Sequence, residues 1–285
     1  MERKVSPPPD RHPKTPKLRL PPGACDCHFH ILGPQARFWL RPNREVDFED
    51  CTLDNLIAMH NAVGISRGLI VQSFNHGPSY EYLLHALSRE PNRFRGIAAP
   101  APDITDKELE ILTKAGVVGV RYAYHIKPEL DVSMIRRVHE FGWQAHYFVN
   151  SQKGIDAWRD HILKSPGKFV LDHMGNPPVK KGLDSPEFRF VLECLDTGRC
   201  WAKLSPRYSE EQNFPFADTL PYIHALVKRY PSRLLWGSDW PHPNYYKPMP
   251  NDGDLVDLAA EWMPDEATRK RVFADNPAEL FNFPR

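Results

Sequence analysis

Two histidines separated by one residue, His28 and His30, are the residues best suited to chemistry in this chain of 285 residues. They end the segment Cys-Asp-Cys-His-Phe-His (25–30), which we predict to be a β-strand. Because side chains alternate between the two faces of a strand, both imidazoles are expected to point to the same side. Two such groups at a strand end could share a metal ion, a reacting carbonyl or a polarised water.

A carboxylate lies at the far end of the chain. Asp239 follows the apolar run Leu-Leu-Trp (234–236) and precedes a Pro-rich loop, Trp-Pro-His-Pro (240–243). An aspartate of this kind could act as a general base or as a metal ligand. Whether it meets the histidine pair depends on the elements that carry the two segments.

Short β-like segments alternate with longer helical ones along the chain. The predicted strands are Ala24–Ile31, Arg67–Ser73, 94–100, Val117–Tyr124, Gln144–Val149, Lys168–His173, Cys200–Ser205 and Leu234–Ser238. The predicted helices are Thr52–Val63, Ser79–Arg89, Thr105–Ala115, Asp131–Phe141, Ile155–Leu163, Pro186–Leu195, Asp218–Arg229 and Asp265–Ala274. We expect Ser79 to cap its helix, and Thr105 to open a capping box.

This alternation favours parallel strands joined by right-handed crossovers. We predict an α/β fold, a (β/α)8 TIM barrel that forms one domain over residues 23–285. Residues 1–22 are rich in proline and are expected to form an extended, loosely ordered segment. An open doubly wound sheet is the alternative, but no Gly-rich phosphate turn follows any predicted strand.

A barrel places its active site at the carboxyl ends of its strands. Polar residues occur at or near several of these predicted ends, namely His28, His30, Arg121, His173, Lys203, Ser205 and Asp239, with Arg207 just beyond. One histidine or arginine at a strand end is usually structural or solvated. Several on one rim predict a common site, because buried polar groups are costly without partners.

The fifth predicted strand leaves one choice open. Strand alternation allows either His146 or Tyr147 to face the barrel interior, but not both. We expect Tyr147 to face it, which would give the site a phenol rather than a further imidazole.

Composition excludes several classes of function. The net charge of +1 gives no basic field for nucleic acid. No apolar run reaches the length of a membrane helix, and the first residues lack the apolar core of a signal peptide, so we expect a cytoplasmic protein. The five cysteines are scattered, which argues against a disulfide framework. The oligomeric state is left open, and a homo-oligomer is compatible with the sequence.

The chain resembles the amidohydrolase superfamily, and within it the branch of 2-pyrone-4,6-dicarboxylate hydrolase and related lactonases. The resemblance spans about residues 21–283 and rests on Gly23–Pro34, Val71-Gln72, His76-Gly77, Gly119–Arg121, Asp172–Gly175, Trp236–Pro243 and Asp275–Phe281. The His-x-His motif alone indicates only the superfamily. The Asp-His-Met-Gly and Trp-Gly-Ser-Asp-Trp-Pro-His-Pro segments indicate the branch.

The resemblance implies a barrel that hydrolyses a carboxylated lactone. It assigns the general base to Asp239 and the surroundings of the reacting carbonyl to His28, His30 and His173. Its substrate-binding residues would be Arg121, Lys127, Tyr147, Arg207 and His76. Two departures concern the substrate: Lys127 stands where the dicarboxylate hydrolase has an arginine, and Phe74 where a small polar residue is expected.

Two questions about the chemistry follow. We expect no cofactor; the alternative is one Zn²⁺ held by His28, His30, His173 and Asp239. The expected partner is a small anionic lactone. The rival functions are a zinc-dependent decarboxylase of the same superfamily, which would need His146 to face inward, and a non-catalytic barrel that binds an acidic metabolite.

Overall fold

Eight parallel strands form the centre of the molecule. A computed structural model of the protein describes residues 3–44, 46–99, 101, 103–205, 211 and 213–283. The barrel strands are β2 (Cys25–Phe29), β4 (Arg67–Val71), β5 (Phe94–Ala98), β6 (Val117–Ala123), β7 (Gln144–Phe148), β8 (Phe169–Leu171), β9 (Cys200–Leu204) and β10 (Leu234–Trp236). Each pairs with its sequence neighbour in the barrel, in the order β2-β4-β5-β6-β7-β8-β9-β10.

The first and last barrel strands meet just beyond their ends. Phe29 and Trp240 form a parallel bridge, and the amide of His30 donates to the carbonyl of Trp240 at 2.7 Å. The predicted α/β barrel fold is therefore confirmed, because the sheet returns on itself through the two segments that carry His28 and Asp239.

Helices surround the barrel. They are α1 (Leu53–Val63), α2 (Glu81–Arg89), α3 (Asp106–Ala115), α4 (Val132–Glu140), α5 (Gln152–Leu163), α6 (Pro186–Asp196), α7 (Leu220–Arg229), α8 (Asp252–Trp262), α9 (Glu266–Lys270) and α10 (Asn276–Phe281). Shorter turns include the 3₁₀ segment Phe74–His76, the turn Asp172–Gly175, in which His173 and Met174 have left-handed backbones, and the π-helical turn Arg271–Asp275. In the described residues, no helix is long and apolar enough to cross a bilayer.

Local signals predicted some helix boundaries and missed others. Thr105 opens α3 with the expected capping box. Tyr80 occupies the N-cap position of α2 without a side-chain hydrogen bond, but Ser79 Oγ accepts from the amide of Glu81, the first residue of the helix, at 3.4 Å. Helix α8 was not predicted, because its sequence, Asp-Gly-Asp-Leu-Val-Asp-Leu-Ala-Ala-Glu-Trp, begins with residues typical of a turn.

The amino-terminal segment is held against the barrel, so the expectation of a loosely ordered segment is wrong for its described residues. Residues Lys4–Ser6 form a strand, β1, that pairs in parallel with β3 (Val46–Phe48). The amides of Lys14 and Leu18 donate to Asn251 and Asp257 on α8, each at 2.8 Å. A proline-rich segment makes few backbone hydrogen bonds within itself, so these side chains serve as acceptors for its amides.

Two apolar clusters divide the core. The larger one lies between the barrel strands and the helices. The smaller one fills the barrel interior and includes Cys25, Cys27 and Phe281, with the last residue coming from the carboxyl-terminal helix. All five cysteines are buried and free. The polar site therefore occupies the opposite end of the barrel, at the carboxyl ends of the strands.

Candidate active site

The structure brings Asp239 together with the histidine pair. Asp239 Oδ1 lies 3.5 Å from Nε2 of His28 and 3.7 Å from Nε2 of His30. The amide of Asp239 also donates to the carbonyl of His28 at 2.7 Å. All three residues are buried. A carboxylate thus faces two imidazoles at the junction that closes the barrel.

A β-bulge gives the histidines their orientation. The register of β2 against β4 shifts between Asp26 and Phe29. Cys27 belongs to the cluster inside the barrel and Phe29 packs against His60 of the helix layer, yet His28 also points inward. Regular alternation could not place Cys27 and His28 on one side, and a bulge is a common device for re-aiming a side chain near a site.

Asp26 fixes this junction from behind. Its Oδ1 accepts hydrogen bonds from the amide of His28 at 3.1 Å and from the amide of Ser238 at 3.0 Å. Its Oδ2 accepts from Ser238 Oγ and lies 3.3 Å from His60 Nε2. The carboxylate therefore joins the segment before Asp239 to the segment of His28. Asp239 itself has a left-handed backbone with φ of 61°, a conformation uncommon outside glycine.

A second buried carboxylate, Asp172, is the hub of the ionic network. Its Oδ1 lies 2.9 Å from Lys203 Nζ, and its Oδ2 accepts from Arg121 Nε at 2.8 Å. Burial raises the pKa of this carboxyl, but the positive charges of Lys203 and Arg121 outweigh burial and hold the pKa well below its usual range. Asp172 is therefore anionic and compensates two cations that would otherwise be unpaired.

Lys203 also contacts the catalytic candidate His28. Its Nζ lies 3.1 Å from His28 Nδ1. Asp172 Oδ1 lies 3.4 Å from the same nitrogen, so Nδ1 can accept from the ammonium group or donate to the carboxylate. Strand β9 thus supplies a cation that contacts both Asp172 and His28.

The site keeps its imidazoles neutral. Burial, with the charge of Lys203, holds the pKa of His28 well below its ordinary value. Burial and the nearby Arg121 lower the pKa of His30 to about 4, although Asp239 opposes this. A neutral imidazole carries one ring proton, which it can donate to a carbonyl oxygen or to Asp239.

His173 completes the polar cluster. It lies in the turn Asp172–Gly175 after β8, and its ring centroid is 4.4 Å from that of His28. Ligand atoms of His28, His173 and Asp239 lie within 4.8 Å of one another. The set of two histidines and one aspartate fits a tetrahedral divalent ion with an open position, so these residues could hold Zn²⁺.

A cavity of about 300 Å³ opens above the cluster. His30 and Arg121 form part of its wall, beside Ser73, Phe74 and Phe148. The guanidinium carbon of Arg121 lies 5.5 Å from the ring centroids of both Phe74 and Phe148. Phe74, at a position where the resemblance leads us to expect a small polar residue, therefore forms part of the wall of this cavity. The strand β1 closes another side through Ser6.

Two predicted substrate-binding residues lie elsewhere. The expectation that Tyr147 rather than His146 faces the interior is wrong: Tyr147 packs against Trp158 of α5 and Phe169, on the helix side of the sheet. His146 points inward, with Nδ1 3.9 Å from Asp172 Oδ1. The apolar layer between strands and helices buries the aromatic ring of Tyr147. Phe148, and not Tyr147, lines the cavity.

His76 has a structural position in place of the predicted contact with substrate. Its ring nitrogens lie 3.3 Å from the carbonyl of Trp39 and 3.2 Å from that of Ile31, and its ring stacks on Tyr82. It therefore joins the loop after β2 to the loop after β4. Lys127 is exposed and lines an adjoining cavity with Arg121, while Arg207 lies outside the described residues.

Lys203 was predicted to lie on the rim of the site, but its pairing with Asp172, and the parts played by Asp172 and Arg41, were not predicted. Asp172 was visible beside His173, and Lys203 as a charged residue at the end of an apolar strand, but neither pattern reveals a mutual ion pair. Arg41 gave no signal, because it lies in an irregular loop between β2 and β3.

Comparison with known families agrees with this geometry. The model of the amidohydrolase family matches residues 25–283. The chain belongs to the amidohydrolase family. The matched residues include the histidine pair at the end of the first barrel strand and the aspartate after the last one.

Two curated relatives are similar over almost the whole chain. A 4-sulfomuconolactone hydrolase from Hydrogenophaga intermedia is 33% identical over 96% of this chain and 93% of its own length. A 2-pyrone-4,6-dicarboxylate hydrolase from Comamonas testosteroni is 31% identical over 95% of this chain and 93% of its own length.

A solved structure supports the fold. An amidohydrolase from Burkholderia multivorans with bound zinc has a TM-score of 0.68, at 18% identity and over 92% of this chain and 99% of its own. At that identity the likeness extends to the fold alone.

Proposed function

We propose that this chain opens a lactone bearing two acidic groups, and that Asp239 activates the attacking water. The chain is a lactone hydrolase of the amidohydrolase family. Both curated relatives are named as hydrolases of lactones, and each is similar to this chain over almost its whole length. The single observation that carries the mechanism is the position of Asp239, 3.5 Å from His28 Nε2 and 3.7 Å from His30 Nε2.

In the proposed reaction, Asp239 takes a proton from water and the resulting hydroxide attacks the lactone carbonyl. Negative charge develops on the carbonyl oxygen, where neutral His28 and His30 can donate from Nε2. One such donor lowers the activation free energy by about 3–4 kcal/mol in comparable sites. Asp239 then returns the proton to the ring oxygen as the carbon–oxygen bond breaks.

The cationic wall supports an anionic substrate. Arg121 lines the cavity with His30, while Asp172 holds its Nε. The remaining guanidinium nitrogens can bind a carboxylate beside the reacting carbonyl. We place Arg207 and Lys127 in this substrate-binding role by family resemblance, and the names of the two relatives indicate lactones with acidic substituents.

If Zn²⁺ is bound, His28, His173 and Asp239 would hold it, and it would polarise the carbonyl and acidify its water. We propose that the reaction proceeds without it. The ammonium of Lys203 lies 3.1 Å from His28 Nδ1, and Arg121 lies close enough to lower the pKa of His30. A further divalent charge in these surroundings would be opposed by both cations.

The two rival functions receive less support. His146 does face inward, as the decarboxylase requires, yet the described metal-ligand cluster comprises His28, His173 and Asp239 without it. A purely binding barrel does not explain a buried aspartate directed at two neutral imidazoles.

The test is hydrolysis of a lactone panel followed by release of acid. We expect the protein to open 4-sulfomuconolactone or a pyrone dicarboxylate, with much slower turnover of uncharged lactones. Failure to hydrolyse any lactone on the panel, with ordinary folding shown by circular dichroism, would refute the proposed function.

A further inference from the structure

The site cavity adjoins a second one of about 340 Å³. Four residues line both cavities: Arg41, Phe74, Arg121 and Ile126. Two guanidinium groups therefore lie on one shared wall, although they come from distant parts of the chain. Arg121 belongs to a barrel strand, and Arg41 to the loop between β2 and β3.

The two arginines differ in the hydrogen-bond acceptors available to their Nε atoms. Arg121 Nε donates to the carboxylate of Asp172. Arg41 Nε is buried, and none of the described residues gives it a hydrogen-bond partner. A buried guanidinium nitrogen without an acceptor is costly, and an anion on this wall would supply the missing acceptor.

Arg41 places a second positive charge beside Arg121 on the shared cavity wall. A substrate with a second acidic group would meet that charge.

The backbone of Arg41 is built into the site. Its amide donates to the carbonyl of Asn75 at 2.9 Å, in the loop after β4. Its own carbonyl accepts from Arg44 Nη1 at 3.4 Å. Contacts on both sides fix where the side chain starts, which reduces the entropy lost when it binds an anion.

Lys127 is the competing candidate in the second cavity. Its ammonium group already lies near an opposite charge, the carboxylate of Asp131. Hydrogen bonds from Ser133 and Met134 are the main causes that lower the pKa of Asp131, and the charge of Lys127 lowers it further. Lys127 is also exposed, so water solvates its ammonium group. Arg41 Nε is buried, and within the described part of the chain no ion pair joins Arg41 to a carboxylate.

We infer that Arg41 binds the second acidic substituent of the substrate, a carboxylate or a sulfonate, and so selects lactones with two negative charges. The inference deepens the proposed function and rests on it for the identity of the ligand as a lactone. A guanidinium fork suits either group, since both present two oxygens side by side.

The test measures binding and turnover separately. Calorimetry compares isophthalate, a ring with two carboxylates, with benzoate, which has one, on wild-type protein and on Arg41→Gln. We expect Arg41→Gln to bind isophthalate at least ~10-fold more weakly and benzoate within ~3-fold of wild type, as loss of one charged hydrogen bond predicts. Arg41→Lys should recover part of the loss.

Arg37→Gln is the matched control, because Arg37 lies in the same loop, is exposed and lines neither cavity. Its affinity for isophthalate should stay within ~2-fold of wild type, since a solvated charge contributes little. Unfolding temperatures of all variants establish that each is folded.

Three results would overturn the inference: equal binding of isophthalate by wild type and Arg41→Gln, equal binding of both ligands by wild type, or loss in Lys127→Gln instead. Kinetics on a pyrone dicarboxylate and the matching monocarboxylate separate the two proposals. If no lactone is hydrolysed but the binding pattern holds, the proposed function fails and the role of Arg41 stands.

Discussion

Asp239 and His28 are joined both through the backbone and through their side chains. The amide of Asp239 donates to the carbonyl of His28 at 2.7 Å, and Asp239 Oδ1 lies 3.5 Å from His28 Nε2. The same contact closes the barrel and assembles the site. A change in the packing of the last strand would therefore change the chemistry as well as the fold.

Replacement of Asp239 by asparagine should abolish turnover. Asparagine keeps the shape but cannot accept a proton from water, so we expect kcat to fall by about 10²–10⁴-fold or more. Lactone hydrolysis is followed by acid release, and circular dichroism and thermal unfolding serve as controls for folding. Turnover within tenfold of wild type would remove Asp239 from the role of base.

Lys203→Met should be strongly destabilising. The Lys203–Asp172 pair is fully buried at 2.9 Å, and Lys164–Asp160 is an exposed pair at the same distance. We expect urea unfolding to show a loss of about 3–5 kcal/mol for Lys203→Met, because a buried charge loses a partner. The matched variant Lys164→Met should lose less than about 1 kcal/mol. Similar losses in the two variants would contradict the ionic network described here.

Acid should destabilise the fold in the range where its buried histidines resist protonation. Burial, with nearby cations, lowers the pKa of His30 and of His146 to about 4. The unfolded chain takes up protons near pH 6.5, so stability is complete above that pH and is lost as pH falls toward 4. Each group contributes on the order of 3 kcal/mol to this loss.

The variant His146→Gln separates this effect from general acid sensitivity. Between about pH 6.5 and 4, its unfolding free energy should vary less steeply than that of wild type, by up to about one proton. The control is His161→Gln, which changes an exposed histidine and should leave the slope unaltered. Measurement is by urea unfolding at several pH values. An unchanged slope in His146→Gln would argue that His146 does not resist protonation.

Removal of the first strand should impair substrate binding more than chemistry. Ser6 lines the cavity, and its Oγ accepts from the amide of Asn244 at 2.9 Å. A protein lacking residues 1–9 should show a KM raised by roughly 10-fold with kcat within about 3-fold, since the cavity loses a wall but the catalytic groups stay in place. The point variant Val5→Ala, at an exposed position, is the control. A fall in kcat with unchanged KM would assign β1 a different role.

Chelation should leave activity intact. We expect purified protein to retain turnover after dialysis against a strong chelator, with metal well below one ion per chain by elemental analysis, because Lys203 and Arg121 oppose a further cation. Activity lost on chelation and restored by Zn²⁺ would instead make His28, His173 and Asp239 metal ligands. The variant Asp239→Asn would then also lose metal, which elemental analysis detects.

Periodicity along the chain was sufficient to predict the barrel. The eight segments that include Cys25–Phe29 and Val117–Ala123 are apolar and short, and amphipathic helices alternate with them, so local patterns determined the fold class. The pair β1 and β3 escaped detection because three-residue strands carry too little pattern. Residue type and strand position also indicated His28, His30, Arg121, His173 and Asp239 as the rim of one site.

Tertiary structure decided which of these groups contact one another. Strand alternation left His146 and Tyr147 open, and packing of the tyrosine against α5 settled the choice. A bulge in β2, and not simple alternation, directs His28 inward. The side chains that contact Asp172, namely His28, Arg121, His146 and Lys203, come from four different strands, and Arg41 comes from a loop. Sequence fixes the chemical character of each side chain, but ion pairs and tautomers depend on distances between segments that lie far apart along the chain.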